Sequence, residues 1–305
     1  GQLIHLDLTS NNRTAVGNVP PVTAVGQGGL LDVQVTTLGD TLWVYLALSG
    51  VNDNQTTGTE LWRARLHNKA LTDITQLYAM SLTTTSGRHF GGRIALTDQH
   101  VFLTIGDRGE RERAQDTSDP AGSIIRLNLD GSIPLDNPIF ASPNALPELY
   151  SVGHRNPQGL AFDANGHLYA HEHGPQGGDE ININYLDKVY NFGWPIASYG
   201  VRYNGEEPFK KNHKEFGFDE PFKYYKPSIG PSQIIRKHDN DQDFYLVTLK
   251  SERIYKLKFD ENFKQIKEEE VYTVGERIRD ILYLDENYYA LLLDSSPSIG
   301  IFNSK

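Results

Sequence analysis

Cysteine is absent from the 305 residues, and methionine occurs once. No disulfide, thiol nucleophile or zinc–thiolate centre can form, although that alone does not fix the compartment. No apolar run is long enough to cross a bilayer, and no secretory leader is visible at Gly1. A Gly-x-Ser-x-Gly elbow is missing, which counts against a serine hydrolase. The GQGG segment at 26–29 is too short for a phosphate-binding P-loop and lacks its lysine and Ser/Thr, so it reads as a turn before the strand from Leu30. No EF-hand spacing occurs. Excess positive charge is also lacking: 29 Lys and Arg against 39 Asp and Glu leave a net charge of −10, which argues against nucleic acid as the main partner.

What the chain has is turns and short alternating strands. It carries 28 glycines and 15 prolines, and no amphipathic stretch of helical length stands out. A unit of strand, polar turn, strand, variable loop and closing strand recurs five times. GRIALTDQHVFLTIGD closes with SIIRLNL, and QGLAFDANGHLYAHE with EININ. SQIIRKHDNDQDFYLVTL closes with RIYKLKF, RDILYLDENYYALLL with IGIF, and LDVQVTTLGDTLWVYLALS with ELWRARL. Period-two alternation is clear in the closing strands, as in Ile254, Leu257 and Phe259 against Lys256 and Lys258.

Such units predict an all-β fold, a six-bladed β-propeller, with a β-sandwich as the competing arrangement. The opening QLIHLDL reads as a closing strand, so the first of the six blades is incomplete at the N-terminus. Residues 1–305 form a single propeller domain, with a long active-face loop at about 196–231.

The chemistry concentrates in 152–195. A strand pair is preceded by Arg155 and Asn156 and followed by a Gly/Pro loop rich in polar groups. Four cations lie at or near strand ends: Arg155, Lys250, and Arg277 with Arg279, which are two apart and share a face. Gathered together they would hold a polyanionic small ligand, since arginine forks suit carboxylates and phosphates. Taken singly, each could pair with a local acid such as Glu276, Asp280 or Glu252. His89 precedes a strand and Asp107 ends the next, so Asp107 could orient His89 as a general base; the alternative is a structural hydrogen bond. The loop EHGPQGGDE offers carbonyls at Gly174 and Pro175 and a carboxylate at Glu180, oxygen donors that suit calcium. Its alternative is a turn capped by Asp179.

Several segments resemble the glucose/sorbosone dehydrogenase family, and most closely its aldose sugar dehydrogenase branch: GQGGLLDV, HFGGRIAL, TIGDRG, GHRNPQGLAFD, EHGPQGGDEIN, NFGWP, PSIGPS, VTLKSERIY and RIRDI. They follow the family's order from Gly26 onward. The resemblance implies a propeller that binds pyrroloquinoline quinone (PQQ). His89 matches the general base and Asp107 its supporting carboxylate. Gln27, Arg155, Asn156, Ser228, Lys250, Arg277 and Arg279 match cofactor contacts. Gly174 and Pro175 match the loop whose carbonyls hold a calcium, and Glu180 with the carbonyl of Phe192 a second, structural calcium site. The chain departs from the pattern in four places, the first being that the first two strands expected of the opening blade are missing. It is slightly longer between Glu180 and Phe192, has Phe192 for the usual tyrosine, and has Arg88 where the glucose dehydrogenase branch has an acid.

The implied activity is oxidation of an aldose at C1 to a lactone. His89 would act as base and Arg155 would stabilise the developing negative oxygen. Implied too are an external electron acceptor, a periplasmic or secreted location, no membrane span, and a monomer or homodimer. Two other functions are compatible with the fold: a non-catalytic propeller that binds a protein or glycan, and a calcium-dependent propeller lactonase.

Overall fold

The structure, a computed structural model, describes all residues except 53, 82, 186, 204–208 and 238–241. The turn expected at 238–241 and part of the loop expected at 196–231 therefore lie outside the described residues. The fold is all-β and of propeller type. The described residues hold no α-helix, only two 3-10 turns, Arg111–Gln115 and His213–Phe216, and no helix is long and apolar enough to cross a membrane.

The chain folds as two compact units, Gly1–Asn156 and Pro157–Lys305. In the first, Leu30–Leu38, Thr41–Val51, Thr57–His67 and Ala70–Ala79 form one antiparallel meander. A second comprises Ile94–Leu96, His100–Ile105, Ser123–Asn128 and Leu149–Val152. Leu61, Ile94, Leu103, Ile105 and Ile125 form the main core between them. In the second unit, Pro157–Phe162, Leu168–Glu172, Asp179–Asn184 and Lys223–Tyr225 make one sheet. Pro231–Arg236, Asp243–Thr248, Arg253–Phe259 and Ile266–Thr273 make another. Ile278–Asp285, Tyr288–Leu293 and Ser298–Asn303 make a three-stranded one.

The alternation read from Arg253–Phe259 has its physical cause in this packing. Ile254, Leu257 and Phe259 are buried in the core of the second unit. Each such side chain contributes about 1.5–3 kcal/mol by leaving water. Lys256 and Lys258 face outward, where Lys256 meets Glu270 at 3.2 Å and Lys258 meets Glu268 at 3.7 Å across the neighbouring strand. That neighbour, Ile266–Thr273, is the outer edge of its sheet, and its run of glutamates discourages pairing with another chain.

Two expectations need correction. Five blades are present among the described residues rather than six. The opening strand Ile4–Asp7 pairs with Asn12–Ala15 just after it, in a separate two-stranded ribbon, because the turn between them closes a hairpin. The stretch 196–231 is also not one loop. It contains the turn His213–Phe216 and the strand Lys223–Tyr225, which pairs with Asp179–Ile181 through Tyr225, Tyr224 and Lys223. A fourth, outer strand likewise completes four of the five blades.

Candidate functional site

In the first unit, the segments HFGG and TIGDRG bring His89 onto Asp107. His89 Nδ1 lies 2.6 Å from Asp107 Oδ1. The Asp107 carboxylate is almost completely buried, and the His89 ring keeps only a small exposed edge. Burial pushes Asp107 upward. The hydrogen bond from His89, the charges of His89 and Arg155, and the Gly109 amide outweigh it, so the carboxyl sits below its usual range. An ionised carboxylate only accepts, so Nδ1 carries a proton, and in the neutral form of the ring Nε2 then presents its lone pair. This is the arrangement a general base requires.

The backbone around the pair is tightly specified. His89 has φ 49°, an uncommon left-handed conformation for a residue with a side chain. Gln27 Oε1 accepts from the His89 amide at 2.8 Å, and the Gln27 amide donates to Gly87 O at 2.7 Å. Asn156 Oδ1 accepts from the Gly91 amide at 3.2 Å, and the Asp107 amide donates to Arg155 O at 2.9 Å. A Cβ at Gly106 would stand 2.2 Å from His89 O, so this close approach requires glycine. Thus Gln27, His89, Asp107, Arg155 and Asn156, far apart in sequence, form one constellation.

Arg108 was not singled out from the sequence. Its guanidinium is fully buried and lies 3.4 Å from the Phe90 ring centroid. Nη1 donates to Arg88 O, while Nη2 donates to Ser86 O at 2.6 Å and to Thr57 Oγ1 at 3.1 Å. The one hint in the sequence is its place beside Asp107.

In the second unit, Asp179 joins two of the expected loops. Its Oδ1 accepts from the Gly174 amide at 3.0 Å. Its Oδ2 accepts from Ser228 Oγ at 2.7 Å, Ile229 N at 2.8 Å and Gly230 N at 2.9 Å. The turn capped by Asp179, named above as the alternative reading of this loop, is present. Pro175 O accepts from the Tyr203 hydroxyl at 2.7 Å. Lys250 follows its strand, with its amide bonded to Ile229 O at 3.1 Å and its side chain exposed.

Glu180 and Phe192 lie on either side of one buried ring. His213 Nδ1 donates to Phe192 O at 3.0 Å, and its Nε2 is 3.8 Å from Glu180 Oε1. Burial, and then the neighbouring Glu172 carboxylate, push Glu180 well above the ordinary carboxylate range. Asn182 Nδ2 donates to Glu172 Oε1 at 2.9 Å, which leaves Asn182 Oδ1 buried without a hydrogen-bond partner. Two buried acids and an orphaned amide oxygen thus lie together, although among the described residues no group of three His, Cys, Asp or Glu is placed to hold a metal ion.

Arg277 and Arg279 do share a direction, as their spacing predicts. Arg277 Nε is 3.1 Å and Arg279 Nη2 3.2 Å from opposite oxygens of Asp294. This is the alternative in which each cation meets a local acid; the sequence offers Glu276, Asp280 and Glu252 as examples of such an acid, and Asp294 is a further one. Glu276 instead accepts from Ser296.

A profile described as Glucose / Sorbosone dehydrogenase matches residues 1–299. The aldose sugar dehydrogenase YliI of Escherichia coli is 32% identical over 308 residues, covering 97% of this chain and 82% of that protein. The quinoprotein glucose dehydrogenase B of Acinetobacter calcoaceticus is 32% identical over 228 residues, covering 65% of this chain and 47% of that protein. Among solved structures, a glucose dehydrogenase superposes with a TM-score of 0.90 at 30% identity, covering 99% of this chain and 89% of that one.

Proposed function

Because the chain belongs to the glucose/sorbosone dehydrogenase family, we propose that residues 1–305 act as one functional domain that oxidises an aldose at C1 to the lactone, with PQQ as cofactor. The observation that carries this reading is the His89–Asp107 pair, a buried ionised carboxylate holding an imidazole with Nε2 free. Nε2 removes the proton from the C1 hydroxyl, and Asp107 stabilises the imidazolium that forms. Bound PQQ supplies the two-electron acceptor for the C1 hydride. Arg155 provides positive charge near Asp107, where it would stabilise negative charge developing in the reaction.

The remaining residues suit a tricarboxylate cofactor. Arg277 and Arg279 both meet Asp294 and stay roughly half exposed, so their guanidiniums remain within reach of an incoming anion. Lys250 adds an exposed ammonium. Gln27, Asn156 and Ser228 complete the proposed contacts. Gly174 and Pro175 would hold the calcium that adjoins the cofactor. Glu180 and Phe192 O would hold a second calcium, in keeping with the buried acids and the orphaned Asn182 oxygen beside them. The reduced cofactor would pass its electrons to an external acceptor, in a periplasmic or secreted setting.

The test is dye reduction by purified protein supplied with PQQ and calcium, over a panel of aldoses, against His89→Gln. Aldose-dependent turnover that the variant loses supports the proposal. Equal rates for both proteins, or none with any aldose, would refute it. Saturable PQQ binding, followed by absorbance, separates this reading from a non-catalytic glycan- or protein-binding propeller.

A further inference from the structure

We infer that Arg108 is a positioning residue for the His89–Asp107 pair, its guanidinium fork fixing the backbone that carries the histidine. The inference rests on the proposed role of that pair in proton transfer.

The segment from Ser86 to Phe90 has no strand or helix to hold it. Its conformation depends on what its carbonyls meet. Ser86 O takes Arg108 Nη2, Arg88 O takes Arg108 Nη1, and Phe90 O takes Thr59 Oγ1 at 2.6 Å. Arg108 thus binds a carbonyl three residues before His89 and the one directly before it. These bonds span the peptide links that set His89 at φ 49°, a geometry that costs free energy unless its surroundings enforce it. Thr57 Oγ1 anchors the fork from the strand Thr57–His67, and the Phe90 ring closes its face. A planar guanidinium makes these contacts at once; an ammonium cannot.

Chain direction makes the coupling direct. Arg108 follows Asp107, and both residues reach back to the same segment, one through its backbone and one through the imidazole. If the fork is lost, His89 is freed from its left-handed conformation and Nδ1 drifts from Asp107 Oδ1. Burial lowers the Arg108 pKa to about 10, so it is still cationic at neutral pH.

Arg108→Lys and Arg108→Gln test this in the full chain labelled with 15N-histidine, without cofactor. The His89 Nδ1–H resonance is assigned by its loss in His89→Gln. In the folded variants it is expected to shift upfield or broaden as the short bond to Asp107 loosens. With PQQ and calcium added, kcat is expected to fall about 10- to 100-fold while KM stays within about twofold. An unmoved resonance and an unchanged kcat in either folded variant would overturn the inference. Where neither variant folds, Phe90→Leu, which removes the ring under the fork, is judged by the same two readouts. A wild-type protein with no dehydrogenase activity, whose His89 resonance nevertheless responds to Arg108→Lys, would leave the positioning role standing and refute the proposed function.

Discussion

A single oxygen of Asp107, Oδ1, holds both the His89 ring at 2.6 Å and the Gly109 amide at 2.7 Å. The carboxylate therefore fixes the imidazole and the turn after TIGD together. Asp107→Asn keeps the shape, but its amide can present a donor to Nδ1 and favour the wrong tautomer. Turnover is expected to fall by about 10²–10⁴-fold, measured as kcat for aldose-dependent dye reduction. A loss below about tenfold would show that the carboxylate does not set the base.

The same group makes a prediction for stability against pH. Its folded pKa is depressed, so its contribution is present above the unfolded value of about 3.9 and lost as pH falls through the folded pKa. The difference in urea-unfolding free energy between wild type and Asp107→Asn should stay flat from about pH 7 to 5 and shrink below about pH 4. A difference that grows on acidification would contradict the assigned ionisation.

Asp179 satisfies four donors from two loops, so its removal should be felt as stability before activity. Asp179→Ala strands the amides of Gly174, Ile229 and Gly230 with the Ser228 hydroxyl. With about 1–3 kcal/mol for each buried group left unpaired, a loss of at least about 3 kcal/mol is expected. Urea unfolding of the variant reads this directly. A change under about 1 kcal/mol would mean that water or a rearranged loop replaces the carboxylate.

These relationships were unequally visible in the sequence. Inner strands such as Arg253–Phe259 show their alternation because one face enters the core and the other meets solvent. The outer strand Ile266–Thr273 escaped notice because its central glutamates pair with lysines of the neighbouring strand and carry no apolar period. Lys223–Tyr225 is too short for any period to register. His89 and Asp107 could be singled out because HFGGRIAL leads into a strand and TIGDRG ends one, although His89 itself stands five residues before Ile94–Leu96. Arg108, Asp294 and His213 could not. Arg108 is buried only because it meets Thr57, Ser86 and Arg88, and Asp294 accepts both arginines from across a hairpin. Such contacts are decided by tertiary structure, and a lone charged residue beside a motif reads as solvent-facing.

Arg277 and Arg279 offer a test of the cofactor contacts free of folding effects. Both are roughly half exposed, and the pairing holds Asp294 below its usual range, chiefly through the Arg277 hydrogen bond. Exposed pairs contribute about 0–1 kcal/mol, so Asp294→Ala should leave thermal stability nearly unchanged. Arg277→Ala and Arg279→Ala should each weaken PQQ binding about tenfold or more in an absorbance titration, a loss of about 1.4 kcal/mol. Asp294→Ala should bind PQQ at least as well as wild type, since it removes a carboxylate that competes with the cofactor for both guanidiniums. Tight binding by both arginine variants would remove them from the cofactor site.

The buried acids around Glu180 predict how calcium acts on the protein. Without metal, two carboxylates and an unpaired amide oxygen sit in a region of low polarity. Glu180→Gln relieves that repulsion, so the metal-free variant should be no less stable than metal-free wild type. Calcium at a hundredfold excess over Kd should then stabilise wild type by about 2.7 kcal/mol and leave the variant largely unmoved. The comparison is made by thermal unfolding after chelator treatment, with PQQ omitted so that the cofactor's own contribution does not enter. If wild type and Glu180→Gln gain equally from calcium, the Glu180 carboxylate is not a ligand. The His213 ring between it and Phe192 O would then be the group that occupies the position assigned to the ion.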